Sequence, residues 1–524
     1  MRVAFRVDSS NLIGAGHVTR CMTMATALRS YGWDVLFICR ELVGNIIYKL
    51  TENSFKVIRL TLPENVVVGG TNAYDSWLAV SVERDAEETS QVIDKFQPDW
   101  VVVDHYRLDA QWEKKIRELC SFVMVIDDLA NREHDCDILL DQNYFAENSQ
   151  DRYQSLVPKH CRLLLGPQYA LLGPEYPLFR RGMPQRTSEI RRILIYFGNS
   201  DLGNKTLLTL HALDVPELSV IAVDIVVGSG SSDLAKIKEF IVKRPNFTLY
   251  TDMSSLAALM IRADLMIGAG GATTWERLCL QLPAIVVPLA KNQEEFTKIL
   301  TKQGLQFSFE DCPQTWSLRC REKITELISR PDLVRMCIHK MCIVDGYGVK
   351  RVTQMLSSGN IEKIVMRRAR SSDVGVMFFW VNDKTARDQS FNTEFITFEQ
   401  HMTWFTEKMN TRDCLMFIGE VYQGLPLGQV RFDYNDGTRD VTVSIFVDPC
   451  FRGLGVAKKL LSLAMEQFQQ TSEFGSRLIA EIKTNNIASQ KLFCSLGFRQ
   501  IHPLREHANA FEYPLVSSLD RLKK

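Results

Sequence analysis

The sequence lacks the patterns typical of disulfide-bonded proteins, of proteins that bind nucleic acid or anionic membranes, and of proteins that span a membrane. None of its thirteen cysteines forms a CxxC pair, and most lie in apolar runs, which favours reduced core thiols over disulfides. Its 62 basic and 62 acidic residues balance, which gives no electrostatic case for binding nucleic acid or an anionic membrane. No apolar run is long enough to cross a bilayer, and the first residues already form a strand pattern without a charged leader. We therefore expect a cytoplasmic protein.

What is present is a long alternation of strand and helix patterns. At 524 residues the chain is expected to form two or three domains. The first series predicts strands at 2–7, 33–39, 56–60, 100–104, 122–126 and 138–140, with helices at 18–30, 84–95 and 110–119. A second series predicts strands at 193–197, 220–227, 247–250, 265–267 and 284–288. These two series predict two Rossmann-like α/β halves with parallel sheets, at 1–178 and 188–356. A Pro- and Arg-rich connector is predicted at 174–187, and a ligand cleft is expected between the halves.

The remaining third of the chain has a different pattern. After a predicted linker at 357–360, strands are expected at 414–420, 426–434 and 440–447, joined as antiparallel neighbours by turns such as Asn435-Asp436-Gly437. A helix at 455–468, a strand at 478–482 and a helix at 487–496 complete a separate α+β domain at 362–524.

The first strand-to-helix turn carries the residues Gly14-Ala15-Gly16-His17. Such a turn presents backbone N–H groups to an anionic ligand and places a titratable imidazole beside it. It is not a full dinucleotide-binding fingerprint, because the third glycine is missing and Arg40 stands where an acidic residue would end the second strand. The alternative is a tight turn whose histidine only caps the helix.

A second glycine-rich turn, residues 268–276, also follows a strand and opens a helix. Gly270 and Gly271 would allow close approach of a diphosphate, and the following residues add hydroxyl donors and a carboxylate that can accept from ribose hydroxyls. The alternative is a capping box, with Thr273 as N-cap and Glu276 three residues later.

Collinear motifs over nearly all of 1–355 resemble the UDP-sugar hydrolases of the pseudaminic acid pathway. The matching segments are 5–21, 103–106, 126–129, 165–172, 270–276 and 290–293. The resemblance implies two halves of the glycosyltransferase-B type and cleavage of UDP-2,4-diacetamido-2,4,6-trideoxy-β-L-altropyranose to UDP and free sugar. One departure is Asn199, where the family often has a second glycine.

Residue roles are carried over from that resemblance. His17 would be the general base or water-positioning residue, with Gly14 and Gly16 clearing space for diphosphate and sugar. Tyr106 and Asn292 would flank the sugar. The UDP-holding residues would be Gly270, Gly271, Thr273, Thr274 and Glu276. Because UDP is a stable anion as a leaving group, a strong general acid is not required, and a water oriented on the opposite face predicts inversion at the anomeric carbon.

Other titratable groups are weaker candidates. Asp127-Asp128 is either a carboxylate pair, a metal site or a strand end that exposes one polar residue each way, and no metal is expected. His134 lies in a segment without a standard zinc spacing, which favours a solvated loop. His105 is a rival base, a substrate contact or a core residue.

The last domain resembles the GNAT acetyltransferases over 366–515, on the loop at 447–457 and the segment 480–498. The resemblance implies acetyl-CoA as co-substrate. Its binding residues would be Val447, Arg452, Gly453, Gly455, Ala457 and Asn486. Many GNAT enzymes have a tyrosine where this chain has Phe493, so the general acid is absent or supplied elsewhere, and Glu420 or a water chain is a candidate base.

Together these motifs predict a bifunctional enzyme acting on a UDP-linked diacetamido or amino deoxy sugar. The last domain would acetylate a UDP-4-amino-sugar, and the first two halves would remove UDP from the product. Two alternatives stay open: a UDP-sugar glycosyltransferase that uses His17 on an acceptor hydroxyl, and a non-catalytic UDP-sugar-binding module beside an active acetyltransferase.

Overall fold

The computed structural model describes residues 1–62, 74–145, 151–198, 201, 203–357, 364–421, 424–471, 477–502 and 507–515, with only the backbone of residues 292, 450 and 471. The Cα packing divides the chain into an N-terminal unit, Met1–Val349, and a C-terminal unit, Lys350–Lys524. No helix in these described ranges is long and apolar enough to cross a membrane.

The first sheet of the N-terminal unit has seven parallel strands in the order β3-β2-β1-β4-β5-β6-β7. The strands are β1 (Arg2–Val7), β2 (Asp34–Arg40), β3 (Lys56–Leu60), β4 (Trp100–Asp104), β5 (Phe122–Ile126), β6 (Ile138–Asp141) and β7 (Arg162–Leu165). The helices are α1 (Gly16–Ser30), α2 (Ile47–Glu52), α3 (Asp75–Leu78), α4 (Val82–Phe96) and α5 (Ala110–Arg117). The strand order reverses between β1 and β4, and ligands of open α/β sheets bind beyond the strand ends at such a switch point.

The second sheet has five parallel strands in the order β10-β9-β8-β11-β12. They are β8 (Arg192–Tyr196), β9 (Ala222–Val227), β10 (Phe247–Thr251), β11 (Leu265–Ala269) and β12 (Ala284–Val287). The accompanying helices are α6 (Glu175–Gly182), α7 (Lys205–Leu213), α8 (Leu234–Val242), α9 (Ala257–Arg262), α10 (Thr273–Cys279), α11 (Lys291–Lys302), α12 (Trp316–Ser329) and α13 (Pro331–Lys340). The next helix, α14 (Gly348–Ser357), contains the boundary between the two units. Here the switch point lies between β8 and β11. The doubly wound halves of the predicted glycosyltransferase-B type are confirmed.

The centre of the first sheet contains a buried ionic network. Arg6 of β1 binds Asp85 of α4 through two hydrogen bonds of 3.1 and 2.6 Å, and Arg40 of β2 donates to the same carboxylate at 2.7 Å. Trp112 adds an indole hydrogen bond of 3.1 Å. Burial by itself raises the pKa of the Asp85 carboxyl, but the two guanidiniums outweigh burial and hold that pKa well below its ordinary value. This ionised carboxylate shares the compensation of the two buried arginines with Asp8, which pairs with Arg6, and with Glu88, which pairs with Arg40.

The C-terminal unit contains a mixed sheet of seven strands in the order β13-β14-β15-β16-β17-β19-β18. The strands are β13 (Val365–Arg368), β14 (Cys414–Val421), β15 (Leu425–Tyr434), β16 (Asp440–Val447), β17 (Arg477–Lys483), β18 (Arg499–Ile501) and β19 (Ala508–Pro514). The helices are α15 (Val374–Asn382), α16 (Lys384–Asp388), α17 (Phe398–Asn410), α18 (Val456–Thr471) and α19 (Ile487–Cys494). The predicted antiparallel run β14-β15-β16 is confirmed, whereas β16 and β17 pair in parallel.

Candidate active sites

The loop after β1 is a tight turn that delivers His17 to the first turn of α1. The Ser10 hydroxyl accepts hydrogen bonds from the backbone N–H groups of Leu12 and Ile13, and the Gly14 N–H donates to the Ser10 carbonyl at 2.8 Å. Gly14 has a φ of 79°, which favours glycine, and a Cβ added at Gly16 would meet no atom within 4 Å. The loop is therefore open beside the histidine.

The His17 ring is held by a carboxylate at the end of the neighbouring strand. Its Nδ1 lies 2.6 Å from Oδ1 of Asp104, the last residue of β4. Burial alone raises the pKa of the Asp104 carboxyl, but Arg20 and His17 outweigh burial and hold that pKa far below its ordinary value. An ionised carboxylate only accepts hydrogen bonds, so Nδ1 carries the proton, and in the neutral form of the ring Nε2 has the lone pair. The alternative in which His17 caps α1 is wrong, since Ala15 is the N-cap and no side chain caps the helix.

Arg20 connects this pair to a second carboxylate. It donates to both oxygens of Asp104 at 2.6 Å, and its third nitrogen lies 3.4 Å from Oδ2 of Asp128. The hydroxyl of Tyr106 donates to the other oxygen of Asp128. His17 and Tyr106, both predicted site residues, are therefore brought together, with their ring centroids 4.8 Å apart.

Aromatic rings form a wall beside His17. Trp77 stacks on Tyr106 at a centroid distance of 4.9 Å and presents its edge to the imidazole at 5.7 Å. Tyr74 lies edge-on to both rings, at 5.0 Å from Trp77 and 5.1 Å from Tyr106. Tyr74 and Trp77 were not predicted from the sequence. Two aromatic residues in a short segment were the only indication of them, and that is too weak to predict a site.

The rival base His105 lies in the core. It is 2% exposed, and burial lowers its pKa to about 4. Its Nε2 lies 3.5 Å from Oδ2 of the buried Asp8. A neutral, enclosed imidazole of this kind cannot reach a substrate in this conformation.

The two aspartates of the predicted pair have different surroundings. Asp127 is fully buried and accepts from Arg132 at 2.7 Å and from Tyr153 at 3.0 Å, while Asp128 faces Arg20 and Tyr106. The prediction that His134 lies in a solvated loop is wrong: it is 3% exposed and its Nδ1 is 2.7 Å from Glu113. In the part of the chain that the structure describes, no group of three or more His, Cys, Asp or Glu side chains is arranged to hold a metal ion.

The glycine loop between β11 and α10 is closely packed on one side and open on the other. A Cβ added at Gly270 would lie 2.6 Å from the Thr297 hydroxyl, whereas one at Gly271 would meet only the Gln293 amide at 3.9 Å. The hydroxyl of Thr274 is buried without a hydrogen-bond partner among the described residues. Helix α10 begins at Thr273, its N-cap is Ala272, and no side chain caps it. The capping-box interpretation is therefore wrong, because the Glu276 carboxylate points elsewhere.

Glu276 is hydrogen-bonded to the connector between the halves. Its partner is the hydroxyl of Tyr176 in α6. Although part of the Glu276 side chain is exposed, the surrounding atoms desolvate the carboxyl, and this burial raises its pKa to about 7, with a smaller contribution from nearby Glu175. The connector predicted at 174–187 thus contains a helix. It is tied to the second half by Arg180 and Arg186, which donate to backbone carbonyls at 2.5–2.7 Å.

A chain of contacts relates the two loops within the N-terminal unit. Arg152 donates to the backbone carbonyl of Asp128 at 3.0 Å and lies 3.8 Å from Glu295 in α11. Gln293, in the first turn of α11, packs against the glycine loop, since its Cβ is 3.5 Å from a Cβ built on Gly270. Asn292 lies in the same turn, and its side chain is outside the described residues. Asn199 also lies outside them.

In the C-terminal unit, the loop between β16 and α18 has the backbone expected of a diphosphate-binding turn. Gly453 and Gly455 have φ values of 79° and 74°, and a Cβ at either would meet no atom within 4 Å. Arg452 donates to the carbonyl of Val447 at 3.1 Å and to Asp383 at 2.6 Å, so its side chain fixes the loop. Ala457 lies in the first turn of α18. Backbone N–H groups, rather than the guanidinium, are left to contact an anion.

The strands beside that loop diverge. The parallel ladder pairs only Asp440–Thr442 with Arg477–Ile479, although β16 and β17 both continue. Asn486, predicted near the pantetheine arm, caps α19 by accepting from the Ser489 N–H at 3.1 Å. Phe493 is buried edge-on against Phe498 at 4.9 Å, and the Glu420 carboxylate accepts from Arg367 at 2.7 Å.

Comparisons with known proteins agree with this division. Residues 363–499 match the acetyltransferase (GNAT) domain, and residues 203–332 match the glycosyltransferase family 28 C-terminal domain. The UDP-2,4-diacetamido-2,4,6-trideoxy-beta-L-altropyranose hydrolase of Campylobacter jejuni is 27% identical over 310 residues, which cover 59% of this chain and all of that protein. The chain is therefore similar to that hydrolase over 59% of its length and has a region that matches the GNAT acetyltransferase domain. The two resemblances stated from the sequence are thereby confirmed.

Other relatives share one or both parts of this fusion. An uncharacterized protein of Methanocaldococcus jannaschii is 24% identical over 98% of this chain and all of its own length. The spore coat polysaccharide biosynthesis protein SpsG of Bacillus subtilis is 28% identical over 39% of this chain and 61% of its own length. Among solved structures, MurG of Acinetobacter baumannii covers 68% of this chain and 99% of its own, at 16% identity and a TM-score of 0.47.

Proposed function

We propose that the hydrolase-like unit cleaves UDP-2,4-diacetamido-2,4,6-trideoxy-β-L-altropyranose, or a closely similar UDP-sugar, to UDP and free sugar. The observation that carries this proposal is the hydrogen bond of 2.6 Å between His17 and Asp104 beside an open glycine loop. In the neutral imidazole this bond fixes the proton on Nδ1 and makes Nε2 the proton acceptor. Homology to the Campylobacter jejuni hydrolase over its whole length supports the choice of reaction.

The proposed step balances without a metal ion or a general acid. A water oxygen forms a bond to the anomeric carbon while Nε2 of His17 takes the proton. The bond from that carbon to the phosphate oxygen breaks, and its electron pair leaves on UDP. Because water and UDP occupy opposite faces of the sugar, the anomeric configuration inverts. Gly270, Gly271, Thr273 and Thr274 would hold the diphosphate, and Tyr106 and Asn292 would flank the sugar.

The experiment is incubation of the purified protein with the UDP-sugar in the absence of any acceptor alcohol. The hydrolase proposal expects stoichiometric UDP and free sugar by mass spectrometry. If UDP appears only after an acceptor is added, the glycosyltransferase alternative is correct instead. If the protein binds the UDP-sugar but releases nothing under either condition, the unit is a binding module.

A prediction follows for Glu276, which we propose accepts from the ribose hydroxyls. Glu276→Gln should weaken UDP binding about tenfold or more at pH 8, where the carboxylate is ionised and makes charge-assisted hydrogen bonds. The difference should shrink at pH 6, because the pKa of about 7 leaves the wild-type carboxyl mostly protonated there. Calorimetric titration with UDP at both pH values measures this, with the exposed Glu310→Gln as control. An identical wild-type-to-variant ratio at pH 6 and pH 8 would exclude the carboxylate from ribose binding.

We propose that the GNAT domain transfers acetyl from acetyl-CoA to the 4-amino group of a UDP-4-amino-sugar. The open glycine loop and the diverging strands β16 and β17 fit a diphosphate and an extended arm. The amine nitrogen forms the new bond to the acetyl carbon and the thioester bond breaks. The amine loses one proton and the departing thiolate gains one. Phe493 cannot supply the latter, so it would come from solvent or another residue. Fusion to the hydrolase-like unit would raise the local concentration of the intermediate.

Gly455→Val should separate the two activities. A β-branched side chain at a φ of 74° strains the loop by about 1–3 kcal/mol, which weakens acetyl-CoA binding about 5- to 150-fold if the loop gives up this conformation. UDP release by the hydrolase-like unit should not change. Gly437→Val, in the turn at the opposite end of β16, is the matched control. Unaltered affinity for acetyl-CoA in the Gly455 variant would remove this loop from the site.

A further inference from the structure

Arg20 occupies a position between the two carboxylates of the His17 site. Its guanidinium makes a two-point contact with Asp104 at 2.6 Å and approaches Asp128 at 3.4 Å. It also lies 3.2 Å from Nδ1 of His17. Asp104 is completely buried on its side chain, and Arg20 is one-tenth exposed. No other arginine or lysine of the described residues forms an ion pair with Asp104.

We infer that Arg20 is a positioning residue that neutralises Asp104, so that His17 is kept as an uncharged base in the neutral pH range. This inference rests on the proposed hydrolase function. A carboxylate bonded to an imidazole stabilises the imidazolium, and an imidazolium cannot accept a proton from water. A guanidinium bonded to the same carboxylate cancels that stabilisation while leaving the Nδ1 hydrogen bond, and therefore the tautomer, intact.

The other groups near His17 do not replace Arg20. From α1, Cys21 only donates its thiol to Asp104 at 3.5 Å. From the loop after β4, Tyr106 is bound to Asp128, and His105 is neutral because burial lowers its pKa to about 4. From the loop after β5, Asp128 carries a second negative charge. Without Arg20, no guanidinium or ammonium group among the described residues would pair with Asp104.

Arg20 also relates the base to the tyrosine proposed to flank the sugar. Asp128 accepts from the Tyr106 hydroxyl on one oxygen and faces Arg20 on the other. The Tyr106 ring then stands edge-on to the imidazole, with Trp77 stacked behind it. One guanidinium thus sets both the charge at the base and the position of the ring beside it.

The test is the pH dependence of UDP release by Arg20→Gln and Arg20→Lys. For the glutamine variant we expect the acidic limb of the kcat/KM profile to move at least about one pH unit upward, because removing a cation at this distance from an imidazole favours the imidazolium by about that amount. At pH values below this limb the glutamine variant should release UDP about tenfold or more slowly than the wild type. At high pH the two rates should become equal again. Arg20→Lys keeps the positive charge, so its acidic limb should move less than that of Arg20→Gln. A uniform loss at every pH with an unmoved limb would mean that Arg20 only supports the fold.

A second measurement does not depend on turnover. In protein labelled at its histidine rings, NMR follows the protonation of His17, whose signal is identified by its loss in His17→Asn. The imidazole should gain its proton at higher pH in Arg20→Gln than in the wild type. Equal titration in the two proteins overturns the inference, whether or not the wild type releases UDP. Asp128→Asn is the companion variant. It should raise KM, because Asp128 accepts the hydrogen bond that positions Tyr106, and it should leave the acidic limb of the pH profile in place. A displaced limb would assign the charge effect to Asp128 instead of Arg20.

Discussion

His17→Asn is expected to abolish most UDP release while the protein still binds UDP. Loss of a general base typically costs about 10²- to 10⁴-fold in rate. Asparagine keeps a hydrogen-bond donor for Asp104 but has no lone-pair nitrogen to take a proton from water. Single-turnover UDP release measures the chemical step, and calorimetric titration with UDP measures binding separately. Retained UDP binding shows that the N-terminal unit of the variant is folded, and acetyl transfer by the GNAT domain should be unchanged.

The matched control is His160→Asn, because the side chain of His160 is 59% exposed and lies outside the His17 site. We expect its rates to equal those of the wild type. If His17→Asn retains more than about a tenth of the wild-type rate, water is activated by another group, and the role given to the bond between His17 and Asp104 is wrong.

Asp85→Ala is expected to destabilise the N-terminal unit by about 3 kcal/mol, since removing one partner of a buried ionic network weakens the compensation of the opposite charges. The guanidiniums of Arg6 and Arg40, both fully buried in the central strands, each lose one of their carboxylate partners. Arg6 keeps Asp8 and Arg40 keeps Glu88. The indole of Trp112 would lose its acceptor as well. Hydrogen exchange of peptides covering β1 and β2, followed by mass spectrometry, reports the local free energy of opening. The exposed Asp94→Ala on the same helix is the control.

The same network predicts how stability depends on pH. The pKa of Asp85 is depressed in the folded state, so the stabilisation is present above the ordinary carboxyl pKa of about 4 and is lost as the pH falls below it. Asp85→Asn should flatten that acid dependence. A wild-type protein whose β1 and β2 peptides keep equal protection from pH 7 to pH 3 would show that the network contributes little.

The sequence predicted the fold well where elements are long and buried. The central strands β1 and β4 are continuous apolar runs between turn residues, and their predicted bounds agree with the structure. The strands β7, β13 and β18 were missed because they have only three or four residues and carry arginines. Helix α6 was taken for an irregular connector because it contains a proline and two arginines.

The site was predicted only in part, for a physical reason. His17 and Tyr106 were found by resemblance, but Asp104 and Arg20 received no role, although both lie in the same motifs. Their contact joins residues 84 positions apart and exists because β1 and β4 are neighbours in the sheet. His134 was misplaced for a similar reason: a polar residue is buried only where a partner such as Glu113 is brought to it.

The most direct test of the central claim is a proton NMR time course of the wild-type protein with UDP-2,4-diacetamido-2,4,6-trideoxy-β-L-altropyranose in ¹⁸O-labelled water and no acceptor. Mass spectrometry of products quenched at early times, before the free sugar exchanges its anomeric oxygen with water, locates the ¹⁸O. A water activated by His17 on the face opposite UDP predicts that the first free sugar formed has the inverted anomeric configuration and carries ¹⁸O at the anomeric carbon. A first product that retains the configuration, ¹⁸O found in UDP instead of the sugar, or no release without an added acceptor would contradict it.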